Sequence, residues 1–282
     1  MEISAKLVMQ LREKTNVGMM ECKKALKEAK GDIELAAELL LKSGAAKAGK
    51  KSDRVANEGL LFVATAADSL SAAIVEVNCE TDFVAKADAF IEFGNNIASL
   101  VLQHNVTTVA ELNALTADSG KSVADMCNIL VGQLGENIQV RRAVCLKVSS
   151  GKVLSYSHSG KIASLVQIEG DNADVAKDVA MHIAALKPLA LHPAGVDAEA
   201  AAKEQEIFKA QIAESGKSAE IMDKIIAGKM NKFLADNSLY GQVFVKDSKK
   251  KVSEYLAENK VVVTSFVLYE VGMSGCDVAI NA

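Results

Sequence analysis

The sequence has no tryptophan, only two prolines and an aromatic content of 4%, although half of its 282 residues are hydrophobic. Side-chain packing must therefore rest on alanine, valine, isoleucine and leucine, and the hydrophobic fraction excludes a disordered chain. Both prolines lie between Lys187 and Ala194, so helices elsewhere meet no proline break. A chain of this length is expected to form one to three compact units.

Features of membrane, secreted and nucleic-acid-binding proteins are also missing. No apolar stretch approaches the roughly 20 residues of a membrane-spanning helix, and no basic segment followed by an apolar one opens the sequence. The net charge of −4 argues against binding nucleic acid through its phosphates. Five scattered cysteines without a Cys-x-x-Cys pair are typical of reduced thiols. We therefore predict a cytoplasmic protein with no membrane partner and no direct nucleic-acid partner.

Motifs of catalysis and metal binding are absent from the sequence as well. The four histidines have no metal-ligand spacing, and no nucleophile elbow or recognisable cysteine nucleophile occurs. The run from Gly44 to Lys50 resembles a phosphate-binding loop, but Lys51 stands where Ser or Thr must hold Mg²⁺, and a helical pattern precedes it. We interpret the chain as a non-enzyme without cofactor or metal, and His182 as a structural histidine.

Three short helical patterns fill the first 43 residues. Ser4 and Asp32 are suitable N-caps for the first and third helices, and Gly44 is predicted to follow the end of the third. The charged run at residues 45–58 is interpreted as an exposed linker or a frayed helix. The pattern predicts a small three-helix bundle, near the lower size limit for independent folding.

From Gly59 onward the pattern changes to strands alternating with helices. Strands that end at Glu80 and Glu169 each lead into an alanine-rich helix, and the second copy is interpreted as lacking one residue, Phe83. We predict two related α+β halves; chance similarity of Ala/Val/Lys helices is the alternative. The predicted strands are 60–64, 72–78, 138–148, 153–158, 162–168 and 261–271, and the predicted helices are 84–102, 123–134 and 174–185.

Two further helical patterns lie between Asp197 and Leu234, divided by residues 215–217. They predict an antiparallel helical hairpin, inserted before the last strand, whose modest apolar stripe makes it project from the body. The predicted architecture is α+β in four parts: a helical domain with linker at 1–54, a first core subdomain at 55–148, a second core subdomain at 149–190 and 235–282, and the inserted hairpin at 191–234.

Two features are not required by the fold alone. Met19 and Met20 are adjacent on a helix, so at most one is well placed for the core. An exposed methionine beside Arg12 would suit a partner surface, and a purely core role is the alternative. Thr81 or Asp82 is a plausible helix cap. Phe83 then falls in the first turn, where a large apolar group stays exposed unless a partner receives it.

These residues carry a resemblance to a known family. Residues 11–15, 18–26 and 31–34 resemble the amino-terminal signature of the bacterial elongation factor Ts family, and residues 76–86 resemble its second signature. Residues 135–138 with Arg141 and Arg142, residues 180–185 and residues 238–242 are similar to further segments of the family. The resemblance runs in order over nearly the whole chain.

The resemblance implies a ubiquitin-associated-like helical domain, two α+β core subdomains and an inserted hairpin of the dimerisation type. It implies a guanine-nucleotide exchange factor that binds elongation factor Tu, GDP-bound and nucleotide-free, and promotes GDP release during translation elongation. By the same resemblance, Arg12, Met19, Met20 and His158 are partner-docking residues. The resemblance also implies that a segment of four residues intrudes near the partner's Mg²⁺ and phosphates, namely Thr81, Asp82, Phe83 and Val84.

The sequence departs from the family pattern at two places. The usual His-Gly of the second hairpin is His158-Ser159-Gly160 here, and the tail after Val271 is shorter than in members that end in a contact helix. The sequence leaves open whether the inserted hairpin forms a homodimer. The alternative function is a passive protein-binding module that does not change nucleotide release.

Overall fold

The computed structural model describes residues 3–15, 17–117, 119–213, 218–273 and 278–280. The chain divides into two compact units, one of Met1–Ala64 with Ala73–Cys145 and one of Thr65–Ala72 with Leu146–Ala282. Both units combine helices with a sheet, which confirms the α+β class. Within the described ranges, no helix is both long enough and apolar enough to cross a membrane. The four-part domain division stays a prediction.

The first unit is a three-stranded sheet in the order β1-β2-β3 with helices packed against it. Strand β2 is buried from Ala72 to Cys79, and Val75 and Val77 join the core that α5 and α7 complete. The central strand is therefore covered on both faces. The elements are α1 (Ala5–Thr15), α2 (Met19–Glu28), α3 (Ile33–Gly49), β1 (Glu58–Thr65), β2 (Ser71–Cys79), α4 (Asp82–Ala85), α5 (Asp88–His104), α6 (Val109–Ala114), α7 (Val123–Leu134) and β3 (Gln139–Lys147).

The predicted caps start two of the first three helices. The Ser4 hydroxyl accepts a hydrogen bond from the Leu7 amide at 3.3 Å, and the Asp32 carboxylate accepts from the amides of residues 34 and 35. These bonds satisfy amides that have no partner inside a helix. Leu11 and Leu26 are completely buried in the small core that α1, α2 and α3 enclose.

The predicted end of the third helix before Gly44 is wrong, because α3 continues to Gly49. A Cβ atom on Gly44 would lie 3.1 Å from the carbonyl oxygen of Asn128 in α7. Gly44 therefore permits the close approach of two helices and does not terminate one. The run from Gly44 to Lys50, which resembles a phosphate-binding loop, is helical up to its C-cap and has no loop amides to offer a phosphate.

The second unit contains a four-stranded antiparallel sheet in the order β4-β5-β8-β9, with β6 and β7 as a separate hairpin. Helices α9 and α10 pack on each other, and none of the residues of α10 is buried. The elements are β4 (Lys152–His158), β5 (Ile162–Glu169), α8 (Ala173–Leu186), a 3-10 turn (Pro193–Gly195), α9 (Ala198–Ala213), α10 (Ala219–Asp236), β6 (Val243–Phe244), β7 (Asp247–Lys251), α11 (Val252–Glu258), β8 (Val262–Glu270) and β9 (Val278–Ile280).

The two units repeat one order of elements, a hairpin followed by a helix and a return strand beside the second hairpin strand. Thr81 and Asn172 are the equivalent N-caps, because each accepts a hydrogen bond from the amide three residues on. Aligned on these caps, Phe83 corresponds to Asp174 and no residue is missing. The predicted deletion of Phe83 in the second copy is therefore wrong; the phenylalanine is replaced by an acidic residue.

We predict that Gly94→Ala destabilises the first unit. A Cβ atom at Gly94 in α5 would lie 2.1 Å from an atom of the Phe62 ring, which is itself buried. Overpacking of this kind costs about 1–3 kcal/mol, which exceeds the gain in helix propensity of about 1 kcal/mol. Denaturant-induced unfolding followed by circular dichroism measures the change.

The matched control is Gly228→Ala in α10, where an added Cβ meets nothing within 4 Å. This substitution should stabilise the chain by about 0.4–1 kcal/mol through the unfolded state. An unchanged midpoint for Gly94→Ala would show that Phe62 moves aside without cost.

Candidate functional site

The junction between β2 and α4 carries the residues that sequence analysis predicts to meet a partner. We call residues 81–84 the 81–84 turn. Thr81 is extended, with φ −129° and ψ 155°, and its hydroxyl accepts from the Val84 amide at 3.4 Å. The Cys79 thiol donates to the Thr81 carbonyl oxygen at 3.1 Å. Local hydrogen bonds therefore close the turn on both sides of Thr81.

The side chains of the 81–84 turn divide between core and solvent. Val84 packs partly against the core of the first unit, whereas Phe83 is 82% exposed. The Asp82 carboxylate accepts from the Lys86 ammonium at 2.7 Å, and this hydrogen bond raises the pKa of Lys86. The turn thus presents a large apolar ring and a paired carboxylate to solvent, in agreement with the expected exposure of Phe83.

Glu136 holds this turn from the segment that precedes β3. One carboxylate oxygen, Oε2, accepts from the amides of Glu80 and Thr81, both at 3.0 Å. The other, Oε1, accepts from the Thr81 hydroxyl at 2.6 Å. A single side chain therefore fixes two backbone amides and the capping hydroxyl.

Glu80 in turn accepts a hydrogen bond from the segment that carries Glu136. Its Oε1 atom accepts from the Asn137 amide at 2.7 Å and lies 3.5 Å from a guanidinium nitrogen of Arg54. The Asn137 side chain donates to the carbonyl oxygens of Arg54, at 2.7 Å, and Ser52, at 3.3 Å. The segments 52–54, 80–81 and 136–137 therefore form one network, which we call the carboxylate clamp.

In the sequence, residues 135–137 are interpreted as a turn and residues 135–138 as part of the resemblance, and no role is predicted for the Glu136 side chain. The side chain is separated from Thr81 by 55 residues, so no local pattern connects the two. The one signal in the sequence is an acidic residue directly after a glycine that ends a helix, and such residues are common on surfaces.

The predicted docking methionines are on the surface of the helical bundle. Met19 is 46% exposed and Met20 is 79% exposed, which contradicts a purely core role for either. Arg12, in the last turn of α1, is exposed too. The bundle core is built by other residues, such as Leu11 and Cys22. The structure therefore leaves all three predicted docking side chains accessible in the first unit.

Comparison with known proteins places the chain in a family. The family model described as Elongation factor TS matches residues 80–273. The chain is 47% identical over 272 residues to elongation factor Ts of Methylococcus capsulatus, with 96% of this chain and 93% of that protein covered. The chain belongs to the elongation factor Ts family. It is 49% identical over 273 residues to the protein named elongation factor Ts in Thioalkalivibrio sulfidiphilus, covering 96% of this chain and 93% of the other. It is 46% identical over 271 residues to elongation factor Ts of Photorhabdus laumondii, with 96% of this chain and 92% of that protein covered.

For a member of the elongation factor Ts family, His158 was predicted as a contact of the second core half. It ends β4 on the surface, and its Nδ1 atom lies 3.3 Å from the Tyr156 hydroxyl. The next two residues, Ser159 and Gly160, have φ of 53° and 66°. Consecutive positive φ values are typical of primed hairpin turns, so the extra serine is accommodated in a tight turn. The docking role of His158 stays a prediction.

His182 is a completely buried polar residue of α8. Its Nδ1 atom accepts from the Val245 amide at 3.1 Å, so the proton of the neutral ring is on Nε2, which donates to the Gln242 amide oxygen at 2.9 Å. Gln242 in turn donates to the carbonyl oxygens of Leu186 and Asp236. Both ring nitrogens are occupied, which fits a structural histidine. Among the described residues, no group of three His, Cys, Asp or Glu side chains is placed to hold a metal ion.

Burial lowers the pKa of His182 below 6.5, against an opposing contribution from Gln242. Near pH 6.5, therefore, the His182 imidazole binds a proton in the unfolded chain but stays neutral in the folded chain. Because the unfolded state binds more protons, stability rises with pH in this window and is lost as the pH falls below 6.5. His182→Gln should flatten this slope and cost about 1–3 kcal/mol at neutral pH.

Denaturant-induced unfolding from pH 7.5 downward measures the effect, with His104→Gln at an exposed position as control. The control should leave the slope in place, because His182 is still present. A His182→Gln slope equal to that of the parent would assign the pH dependence to another group.

Proposed function

We propose that this member of the elongation factor Ts family is a guanine-nucleotide exchange factor for elongation factor Tu. The single observation that carries the proposal is an aromatic side chain, Phe83, that is 82% exposed on a turn held by Glu136. Glu136 accepts three hydrogen bonds there, from the amides of Glu80 and Thr81 and from the Thr81 hydroxyl. A side chain of this size normally lies in a core or an interface. Its exposure on a rigid support suits insertion into a partner.

The proposed mechanism is competition between the 81–84 turn and the bound nucleotide. Phe83 enters an apolar gap beside the Mg²⁺ and phosphates of the partner, and Asp82 disturbs the surroundings of that Mg²⁺. In the free factor Asp82 is paired with Lys86, so a part of its charge is already compensated before the partner binds. Exchange follows because the factor and GDP each weaken the other's binding by the same free energy.

Docking supplies the free energy that brings the turn into place. Arg12, Met19 and Met20 offer an exposed cation and two adaptable apolar side chains on the helical bundle. His158 offers a further contact from the second unit. In this proposal GDP-bound and nucleotide-free elongation factor Tu are both bound, the nucleotide-free form more tightly. A passive binding module would bind both forms equally and leave GDP release unchanged.

Phe83→Ala should leave the stability of the factor nearly unchanged, since a buried phenylalanine would cost about 3–5 kcal/mol and this one is exposed. The affinities for GDP-bound and nucleotide-free elongation factor Tu should converge, because the reciprocal coupling is lost. The rate of GDP release at saturating factor should fall. Release of a fluorescent GDP analogue, measured against factor concentration, gives both the maximal rate and the half-saturating concentration.

Ile91→Ala is the matched control, since Ile91 is another exposed apolar side chain of the first unit. It should leave the maximal release rate at the parent value. A Phe83→Ala variant that folds, saturates and releases GDP at the parent rate would disprove the insertion mechanism.

Arg12→Ala combined with Met20→Ala should raise the half-saturating concentration about tenfold, equivalent to 1.4 kcal/mol of docking energy. The maximal release rate should stay unchanged, because the 81–84 turn is intact. The bundle should keep its melting temperature, as both side chains are exposed. The same release assay and thermal unfolding measure the two effects.

The control pair is Lys6→Ala with Met9→Ala, which removes the same two kinds of exposed side chain from another part of α1. If the control weakens docking as much as Arg12→Ala with Met20→Ala, the assignment of the docking surface is wrong.

A further inference from the structure

We propose that Glu136 is a positioning residue for nucleotide exchange, which holds the 81–84 turn so that Phe83 projects outward before the partner arrives. This inference rests on the proposed function and adds to it a residue outside the 81–84 turn and outside the docking surface.

The clamp engages both oxygens of the Glu136 carboxylate. Glu136 accepts two backbone amides at 3.0 Å and the Thr81 hydroxyl at 2.6 Å. Hydrogen bonds to an ionised carboxylate are shorter and about twice as strong as neutral ones. With both oxygens engaged, Glu136 fixes the position and the direction of the backbone that leads into Phe83.

The helix that carries Phe83 is too short to be stable without contacts to the rest of the unit. α4 is a single turn of four residues, and a first helical turn is unfavourable because it orders several residues for one hydrogen bond. Without Glu136, the amides of Glu80 and Thr81 lose their acceptors at a part-buried junction, and leaving them unpaired there is unfavourable. The turn would then adopt other conformations to reach water, and Phe83 would lose its fixed direction.

In the second unit, the residue that follows the left-handed residue before the return strand is not a carboxylate. Gly135 and Lys260 are the left-handed residues that precede the return strands, with φ of 81° and 54°. The residue that follows is Glu136 in the first unit and buried Val261 in the second. Among the described residues, the carboxylate therefore follows the left-handed residue in the unit that carries the exposed phenylalanine, and buried Val261 follows it in the unit that has Asp174 instead.

The test uses Glu136→Ala in the full chain, with Glu92→Ala as a control at an exposed position of α5. Hydrogen exchange of the Glu80 and Thr81 amides is measured on the factor alone, and GDP release from the partner GTPase is measured against factor concentration. We expect the two amides to exchange at least about tenfold faster in Glu136→Ala. We also expect the maximal release rate to fall about tenfold while the half-saturating concentration changes less than about threefold. Glu92→Ala should change none of these quantities.

A double variant separates positioning from general destabilisation. If Glu136 acts through Phe83, Glu136→Ala should lower the release rate in the parent but add nothing in a Phe83→Ala background. Glu136→Gln keeps an oxygen that accepts the two backbone amides, so it should protect them and restore most of the release rate. This variant also decides the matter if Glu136→Ala fails to fold.

The outcomes distinguish this inference from the proposed function. If Phe83→Ala abolishes rapid release while Glu136→Ala exposes the amides and still releases GDP at the parent rate, Glu136 is not a positioning residue. An additive loss in the double variant, or a Glu136→Gln variant with protected amides and slow release, would also overturn the inference. If Phe83→Ala itself releases GDP at the parent rate, the proposed function is wrong, and the role of Glu136 in exchange is wrong with it.

Discussion

The carboxylate clamp is the interaction on which the presentation of the candidate site depends. Glu80 accepts an amide from residue 137, and Glu136 accepts amides from residues 80 and 81. Each carboxylate therefore satisfies the backbone of the segment that carries the other. Placing two acidic side chains together is unfavourable unless donors compensate them, and here four backbone or hydroxyl donors and the Arg54 guanidinium do so. Asn137 extends the network to the carbonyl oxygens that follow α3, so the exit of the helical bundle and the 81–84 turn share one support.

A third carboxylate, which is completely buried, fixes the sheet that carries both segments of the clamp. Glu76, on β2, is completely buried, and it accepts from the Arg142 Nε atom on β3 at 2.6 Å and from the Asn78 side chain at 3.0 Å. A shift of one residue between these strands would turn Glu76 to the opposite face and leave its charge without partners. The ion pair thus selects one register of β2 against β3. That register places residue 80, at the end of one strand, next to residue 136, before the start of the other.

The sequence predicts the parts of this fold that depend on local chemistry. The helix at Val123–Leu134 lies between a serine cap and a left-handed glycine, and both signals are local. The role of Gly44 was predicted wrongly. In a sequence, a glycine that ends a helix cannot be told from one that lets two helices approach, and only the position of α7 beside Gly44 distinguishes them. β7 and α11 escaped prediction because Asp247–Lys251 has no apolar alternation and the helix that follows has only seven residues. The exposure of Phe83 could be expected from its place in the turn, whereas Glu136 could not, because its role exists only through a contact between distant segments.

In the proposed mechanism, the energetics of exchange explain why a rigid turn is useful. Lowering the partner's affinity for a nucleotide about 10⁴-fold requires roughly 5.5 kcal/mol of differential binding. Burying one phenylalanine contributes about 1.5–3 kcal/mol. Ordering a flexible turn at the moment of binding would cost a further 1–2 kcal/mol, roughly, for each residue fixed, which would cancel the gain from Phe83. Because the clamp orders residues 80 and 81 during folding, that cost is already met in the free factor. In the proposed mechanism, the burial of Phe83 then remains available to act against the nucleotide, together with the effect of Asp82 on the surroundings of the partner's Mg²⁺.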